Sequence, residues 1–188
     1  MSHLFIKALN IPALIFILCI GIGIQSALFS YQPLHYFKPE IGIFIVLWCA
    51  LKRKFTEGGI VTLIAAYIVE LHSSAPSGTI MSAYMLSYLL LRSCSGYLLL
   101  SKPHSMLILT AVFSLTIKVF HIIILSLINP NDLHWFNLFE VSLPNLITEV
   151  ILATWIFRLL KKLDWVTFKY SKEEQPHDDL KLTENEGL

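Results

Sequence analysis

Residues 105–128 read SMLILTAVFSLTIKVFHIIILSLI, a run of 24 residues with one formal charge, Lys118, and His121 one helical turn beyond it. Crossing a bilayer core takes about 20 mostly apolar residues in a helix, so this stretch is expected to be a transmembrane span. The rest of the chain points the same way. Of its 188 residues, 55% are hydrophobic and 14% charged, where a soluble domain carries about 25% charge; the mean hydropathy is +0.67. Much of that charge is gathered between Lys161 and Leu188, which hold five lysines and seven acids. What precedes them is too apolar to fold with a water-facing surface, so lipid is the expected solvent for most of the chain.

Outward from this stretch, the apolar runs predict six spans at about residues 8–29, 34–51, 58–73, 79–100, 105–128 and 139–160, within a membrane domain of residues 1–169. The turn-rich segments YQPLHYFKP, KRKFTEGG, HSSAPSG, SKPH and NPND separate them. The second run has an apolar core of about twelve residues. It reaches span length only if the turn from Leu34 joins it, and is otherwise a short or tilted helix. The first run, with Lys7 before it and SAL near a possible cleavage point, resembles a signal peptide. The apolar segments that follow argue for a retained span. Six spans put Lys7, the Lys52–Arg53–Lys54 cluster, Arg92, Lys102, Arg158, Lys161 and Lys162 on one side and only Lys38 on the other. The excess of Lys and Arg marks the cytoplasmic face, so both termini are expected there. Trp135, Phe136 and Trp165 fall where interfacial aromatics belong. Residues 170–188 are polar and of mixed sign, which predicts a disordered cytoplasmic tail.

A net charge of +1 gives no reason to expect nucleic acid. Cys19, Cys49 and Cys94 lie in or beside apolar runs without CxxC or ligand spacing, and read as small packing residues. No HExxH motif, Gly-rich phosphate loop or Gly-x-Ser nucleophile context occurs, so no metal, cofactor or catalytic residue is expected. Glu70, His72 and Ser73 read as polar residues at a membrane surface rather than as a triad. Nothing singles out a carbonyl ligand for a Schiff base on Lys118.

Four charges do stand in or near the apolar layer: Glu40, Glu70, Lys118 and Glu149. Each needs a partner, an aqueous cavity or the headgroup region. Glu40 opens a helix, where a carboxylate suits the positive end of the dipole. Glu70 ends an apolar run before a Ser-Pro-Gly turn, within reach of headgroups or of Lys38. Lys118 and Glu149 each lie about ten residues from the outer end of antiparallel neighbouring spans, and at 1.5 Å per residue they share a depth. A Lys118–Glu149 pair is therefore expected, with His121 one turn above.

Pro39-Glu40, then Gly58-Gly59, Ala65, Ala66 and Glu70, then Pro76 and Gly78 resemble, in that order, the pattern of the rod shape-determining protein MreD family. Residues 143–164, LPNLITEVILATWIFRLLKKLD, are similar to that family's last span. Both acidic places carry Glu where the family tends to carry Asp, and Lys118 and Glu149 match no family motif. The resemblance implies an all-α membrane protein of six transmembrane helices, similar to the substrate-binding subunits of energy-coupling-factor transporters. It also implies a non-catalytic adaptor of the bacterial cell-elongation complex in the inner membrane. Its partners there would be an MreC-like protein, a RodA-like glycosyltransferase and a penicillin-binding transpeptidase of peptidoglycan synthesis. Glu70, Pro76 and Gly78 would fix the outer junction of spans three and four. Apart from the resemblance, Glu40, Lys118, His121, Asn145 and Glu149 are expected from their placement in the spans to be structural or partner-facing.

Two other functions stand beside this one. A small-molecule (vitamin) binding subunit of a transporter would need an outer pocket, for which Tyr67, Glu70, His72, Tyr84, Trp135 and Asn145 are the candidate lining. A membrane enzyme would need a catalytic constellation that the sequence does not offer.

Overall fold

The structure, a computed structural model, describes residues 9–29, 31, 37–95, 103–128 and 134–167, with side chains of the last two segments described from 105 and from 144. The described residues form six helices and no strand: α1 Asn10–Leu28, α2 Ile41–Lys52, α3 Phe55–Leu71, α4 Thr79–Cys94, α5 Pro103–Ile128 and α6 His134–Val166. The tail from Tyr170, the loop around Leu34, Lys7, Lys102 and the side chains of Trp135 and Phe136 lie outside the described residues.

The organising element is the shortest helix. α2 touches all five others, and α1, α3, α4, α5 and α6 close a ring around it, each in contact with the next. Its sequence explains the position. Every residue from Gly42 to Ala50 is buried, and this stretch, GIFIVLWCA, offers water no polar face. Phe157 of α6 packs edge-on to Phe44 and stacked on Trp48, at centroid distances of 6.0 and 6.1 Å.

α2 takes the short form that the sequence left open. The predicted span 34–51 begins as helix only at Ile41. Pro39 holds its own φ and keeps Lys38 out of the helical region, and Glu40 is extended at φ −92°, ψ 92°. Twelve residues rise about 18 Å, well short of a 30 Å hydrocarbon core. α4 is described over Thr79–Cys94, and residues 96–100 of its predicted span lie outside the described residues. One further boundary shifts. α6 runs for 33 residues, so Pro144 lies inside the helix rather than in its first turns. Of the three cysteines only Cys49 is buried; Cys19 and Cys94 are exposed, so one of them packs in the core rather than all three.

The ring helices are apolar on the outside. α1 buries a single stripe, Asn10, Leu14, Leu18 and Ile22, and exposes Phe16, Ile20, Ile24 and Leu28. α5 turns Thr110 and Ser114 inward with Phe113 and Ile117, and leaves Ile108, Val112 and Leu127 outside. Soluble monomers rarely expose apolar patches beyond a few hundred Å². α1 and α5 (over Ser105–Ile128) are long and apolar enough to cross a membrane; α2 is apolar but shorter.

Small residues set the close approaches inside the bundle. A Cβ on Gly42 would stand 2.7 Å from Val69 Cγ2 and 2.9 Å from the Tyr84 hydroxyl. One on Gly58 would meet the Tyr88 hydroxyl at 2.7 Å and the Cys49 carbonyl at 3.0 Å. These glycines, with buried Ala65 and Ala66, bring α2, α3 and α4 together within one chain. Gly42→Ala should therefore cost about 1–3 kcal/mol by overpacking, seen as a lower thermal midpoint. An unchanged midpoint would show that Val69 and Tyr84 give way freely.

Candidate functional site

A helix that ends inside a bundle must find partners there for its free amides and carbonyls. α2 has two such ends, and a polar cluster stands at each.

At the N-terminal end, the Glu40 amide donates to Glu149 Oε1 at 3.3 Å and the Ile41 amide to Gln25 Oε1 at 3.4 Å. Glu149 is fully buried. It also accepts the Ser114 hydroxyl and both available contacts from Lys118 Nζ, at 3.1 and 3.2 Å. The residues that share a depth in the sequence thus lie side by side. The anion sits where the dipole of α2 is positive and is paired with a cation on α5. Glu40 does not cap its own helix with its side chain. Its carboxylate crosses to α4 and accepts the hydroxyl of buried Tyr84. Enclosure of the α2 start by α4 and α6 thus gives the helix-start acid a protein partner.

Glu40, Tyr84, Lys118 and His121 border a void of about 20 Å³, room for a single water. Glu40 and His121 also border a larger cavity of about 450 Å³, together with Gln25, Lys38, His72 and Asn145. Of the candidate pocket lining, His72 and Asn145 reach this cavity. Tyr67 is exposed, Tyr84 faces the void, and Glu70 is occupied elsewhere.

Glu70 answers for the turn that follows it. Its carboxylate accepts the Gly78 amide at 2.7 Å and the Met81 amide at 3.0 Å. These are the N-cap and third-residue amides of α4, so an acid on one helix caps the next. Gly78 adopts φ 88°, which a side chain disfavours. Pro76 offers its carbonyl to the Thr79 amide and hydroxyl, at 3.2 and 2.7 Å. His72 Nδ1 is engaged with the Ile68 carbonyl at 2.9 Å, so Glu70, His72 and Ser73 form no relay. Glu70→Ala should cost about 1–2 kcal/mol, as loss of an N-cap does, and should speed amide exchange at Gly78 and Met81. Unaltered exchange there would remove the capping role.

The other end of α2 holds a network that the sequence reading missed. The Arg53 guanidinium donates through Nη2 to the Asp164 carboxylate and, at 2.8 Å, to the side-chain Oδ1 of Asn10. Trp48 Nε1 donates to Asp164 at 3.0 Å, and Asn10 Nδ2 to Asp164 at 2.9 Å and to Thr167 at 2.6 Å. All five residues are buried. Arg92 closes the end by donating to the Ala50 carbonyl at 2.9 Å. Cationic groups at the negative end of α2 and an acid at its positive end match its dipole at both poles. In the sequence Arg53 stands between Lys52 and Lys54 and looks like part of a solvated basic cluster. The one available signal was polar Asn10 at the head of an apolar run.

Among the described residues no group of three or more His, Cys, Asp or Glu side chains is placed to hold a metal ion. Chemically, both clusters are suited to holding helices in register. The cavity is suited to receiving a small polar molecule. No protein-family model matches the chain, no curated protein matches its sequence, and no solved structure matches its fold.

Proposed function

We propose that this chain is a six-span, non-catalytic adaptor of the bacterial inner membrane, an MreD-like protein of the cell-elongation complex. In this role it would hold an MreC-like protein, a RodA-like glycosyltransferase and a penicillin-binding transpeptidase in place for peptidoglycan synthesis. The observation that carries the proposal is the use made of buried charge. Glu149, Lys118, Arg53 and Asp164 each bind one helix to another, and Ser114 and Glu149 are closed to any substrate. Glu40 and Glu70, the two acids of the MreD-like pattern, both serve as fixed acceptors between helices. A bundle pinned in this way, with apolar outer faces, has the rigidity and the surface that a membrane scaffold needs. Six crossings with a short α2 are physically consistent, because a helix covered on all sides needs no lipid-matching length when its ends are capped within the protein.

The test is capture. The tagged full chain, co-expressed with MreC-like and RodA-like proteins in a bacterial membrane, is expected to co-purify with them in mild detergent. Reporters at its two ends are expected to face the cytoplasm. A folded chain that captures neither protein, or ends facing opposite compartments, would overturn the proposal. The cavity favours a second reading, a small-molecule subunit of a transporter, which a tightly bound vitamin in the purified protein would select.

A further inference from the structure

α6 turns one face outward along most of its length. Ile147, Ile151, Trp155, Arg158, Lys162 and Trp165 are all exposed, and their spacing of three or four residues sets them on one side of the helix. The face changes chemistry once, from apolar residues to two cations. Ile147 and Arg158 are eleven residues apart, a rise of about 16 Å, which is the depth of one leaflet in a hydrocarbon core about 30 Å thick. The apolar part of the face is therefore long enough to carry an acyl chain, and the cations stand where the phosphate of the same lipid would lie.

Those cations have no partner in the protein. Arg53, Arg92 and Lys118 each donate to a group on another helix. Arg158 and Lys162 make no hydrogen bond or ion pair among the described residues, whereas Lys161 beside them has a partner of its own. The acids of this stretch, Glu149 and Asp164, are buried, so no carboxylate offsets the two charges on the outer face. Arg158 and Lys162 are one turn apart, and long basic side chains bend along an apolar surface toward the headgroups, so both can reach one phosphate layer. Trp155 and Trp165 bracket them, as interfacial aromatics do.

We propose that this face binds a phospholipid with two phosphates, diphosphatidylglycerol. One phosphate is held by Arg158, the other by Lys162, and an acyl chain lies along Ile147, Ile151 and Trp155. The guanidinium takes two oxygens of its phosphate as a fork, and the ammonium meets the other as a point charge. A lipid with a single phosphate leaves one of the two cations unmatched. The assignment rests on α6 crossing the membrane, as in the six-span reading, and not on the protein partners proposed for the chain.

The test is native mass spectrometry of the full chain, released from nanodiscs that hold phosphatidylglycerol and diphosphatidylglycerol in equal amounts of phosphate. Diphosphatidylglycerol is expected to be retained about fivefold more than phosphatidylglycerol, as for one further cation matched at a bilayer surface. Arg158→Gln combined with Lys162→Gln is expected to abolish this preference, and either change alone to weaken it. Lys54→Gln removes an exposed cation beside Arg53, at the same end of the bundle but off α6, and is expected to leave the preference intact. Since neither α6 cation is bonded within the fold, the double variant should keep the thermal midpoint of the parent. Equal retention of the two lipids, a preference that survives the double variant, or one lost equally with Lys54→Gln would overturn the assignment. Reporters at the chain ends test the crossing and partner capture tests the adaptor, and neither readout depends on lipid retention, so the failures are distinguishable.

Discussion

Arg53→Met is expected to destabilise the protein by about 3–5 kcal/mol, the range for removing one member of a buried ion pair. The loss comes from what remains. Asp164 keeps its charge in a buried site, with Trp48 Nε1 and Asn10 Nδ2 as its side-chain donors. Asn10, which accepts from Arg53 and donates to Asp164 and Thr167, also loses its donor on the oxygen side. Since Asn10 is on α1 and Asp164 on α6, the damage falls on the seam where those helices meet. The double variant Arg53→Met with Asp164→Leu removes both charges and should recover part of the loss, because apolar replacement of a whole buried pair is often nearly neutral. Recovery will be incomplete, since Trp48 Nε1 and Asn10 Nδ2 are left without the Asp164 carboxylate. The measurement is thermal or denaturant unfolding in detergent for the four members of the cycle. A single variant as stable as the parent, or a double variant as unstable as the sum of the two singles, would show that the pair carries no coupling.

Glu149→Leu should cost a similar amount, about 3–5 kcal/mol, for a different reason. It strands the Lys118 ammonium, whose side chain is only 11% exposed, and with it the Ser114 hydroxyl and the Glu40 amide. The sequence alone predicts that exchanging the charges, Lys118→Glu with Glu149→Lys, restores what either reversal loses. The structure makes that rescue partial. A lysine at 149 would point its charge at the positive end of α2 and could not accept from Ser114 and the Glu40 amide, both of which need an acceptor there. The exchange is therefore expected to be more stable than either single reversal and less stable than the parent, by unfolding in detergent. Full rescue would mean that the helix-end contacts count for little. No rescue would mean that Lys118 and Glu149 do not act as a pair.

The helical class was legible because it depends on local properties. Long apolar runs broken by Pro, Gly and Asn turns mark α1 and α5 as plainly in the sequence as in the structure. Glu70 and its turn were legible for the same reason, since acid, proline and glycine lie within nine residues and make their contacts there. The Lys118–Glu149 contact could be reached by counting depth along two neighbouring helices, because an antiparallel pair with a short connection has one register. Arg53 could not be read in this way. Its partners Asn10 and Asp164 are 43 and 111 residues distant, and nothing local separates it from Lys52 and Lys54 on either side.

The amino-acid sequence by itself determined the helices, their apolar character and the positions of the unusual charges, because each follows from residues close together along the chain. Only the tertiary structure decided that α2 is surrounded rather than lipid-facing, and this changed the meaning of almost every polar residue named here. A short apolar helix reads alike on a bundle's surface and at its centre. Once it is central, its two polar ends are enclosed, and the side chains that satisfy them must come from helices remote in sequence.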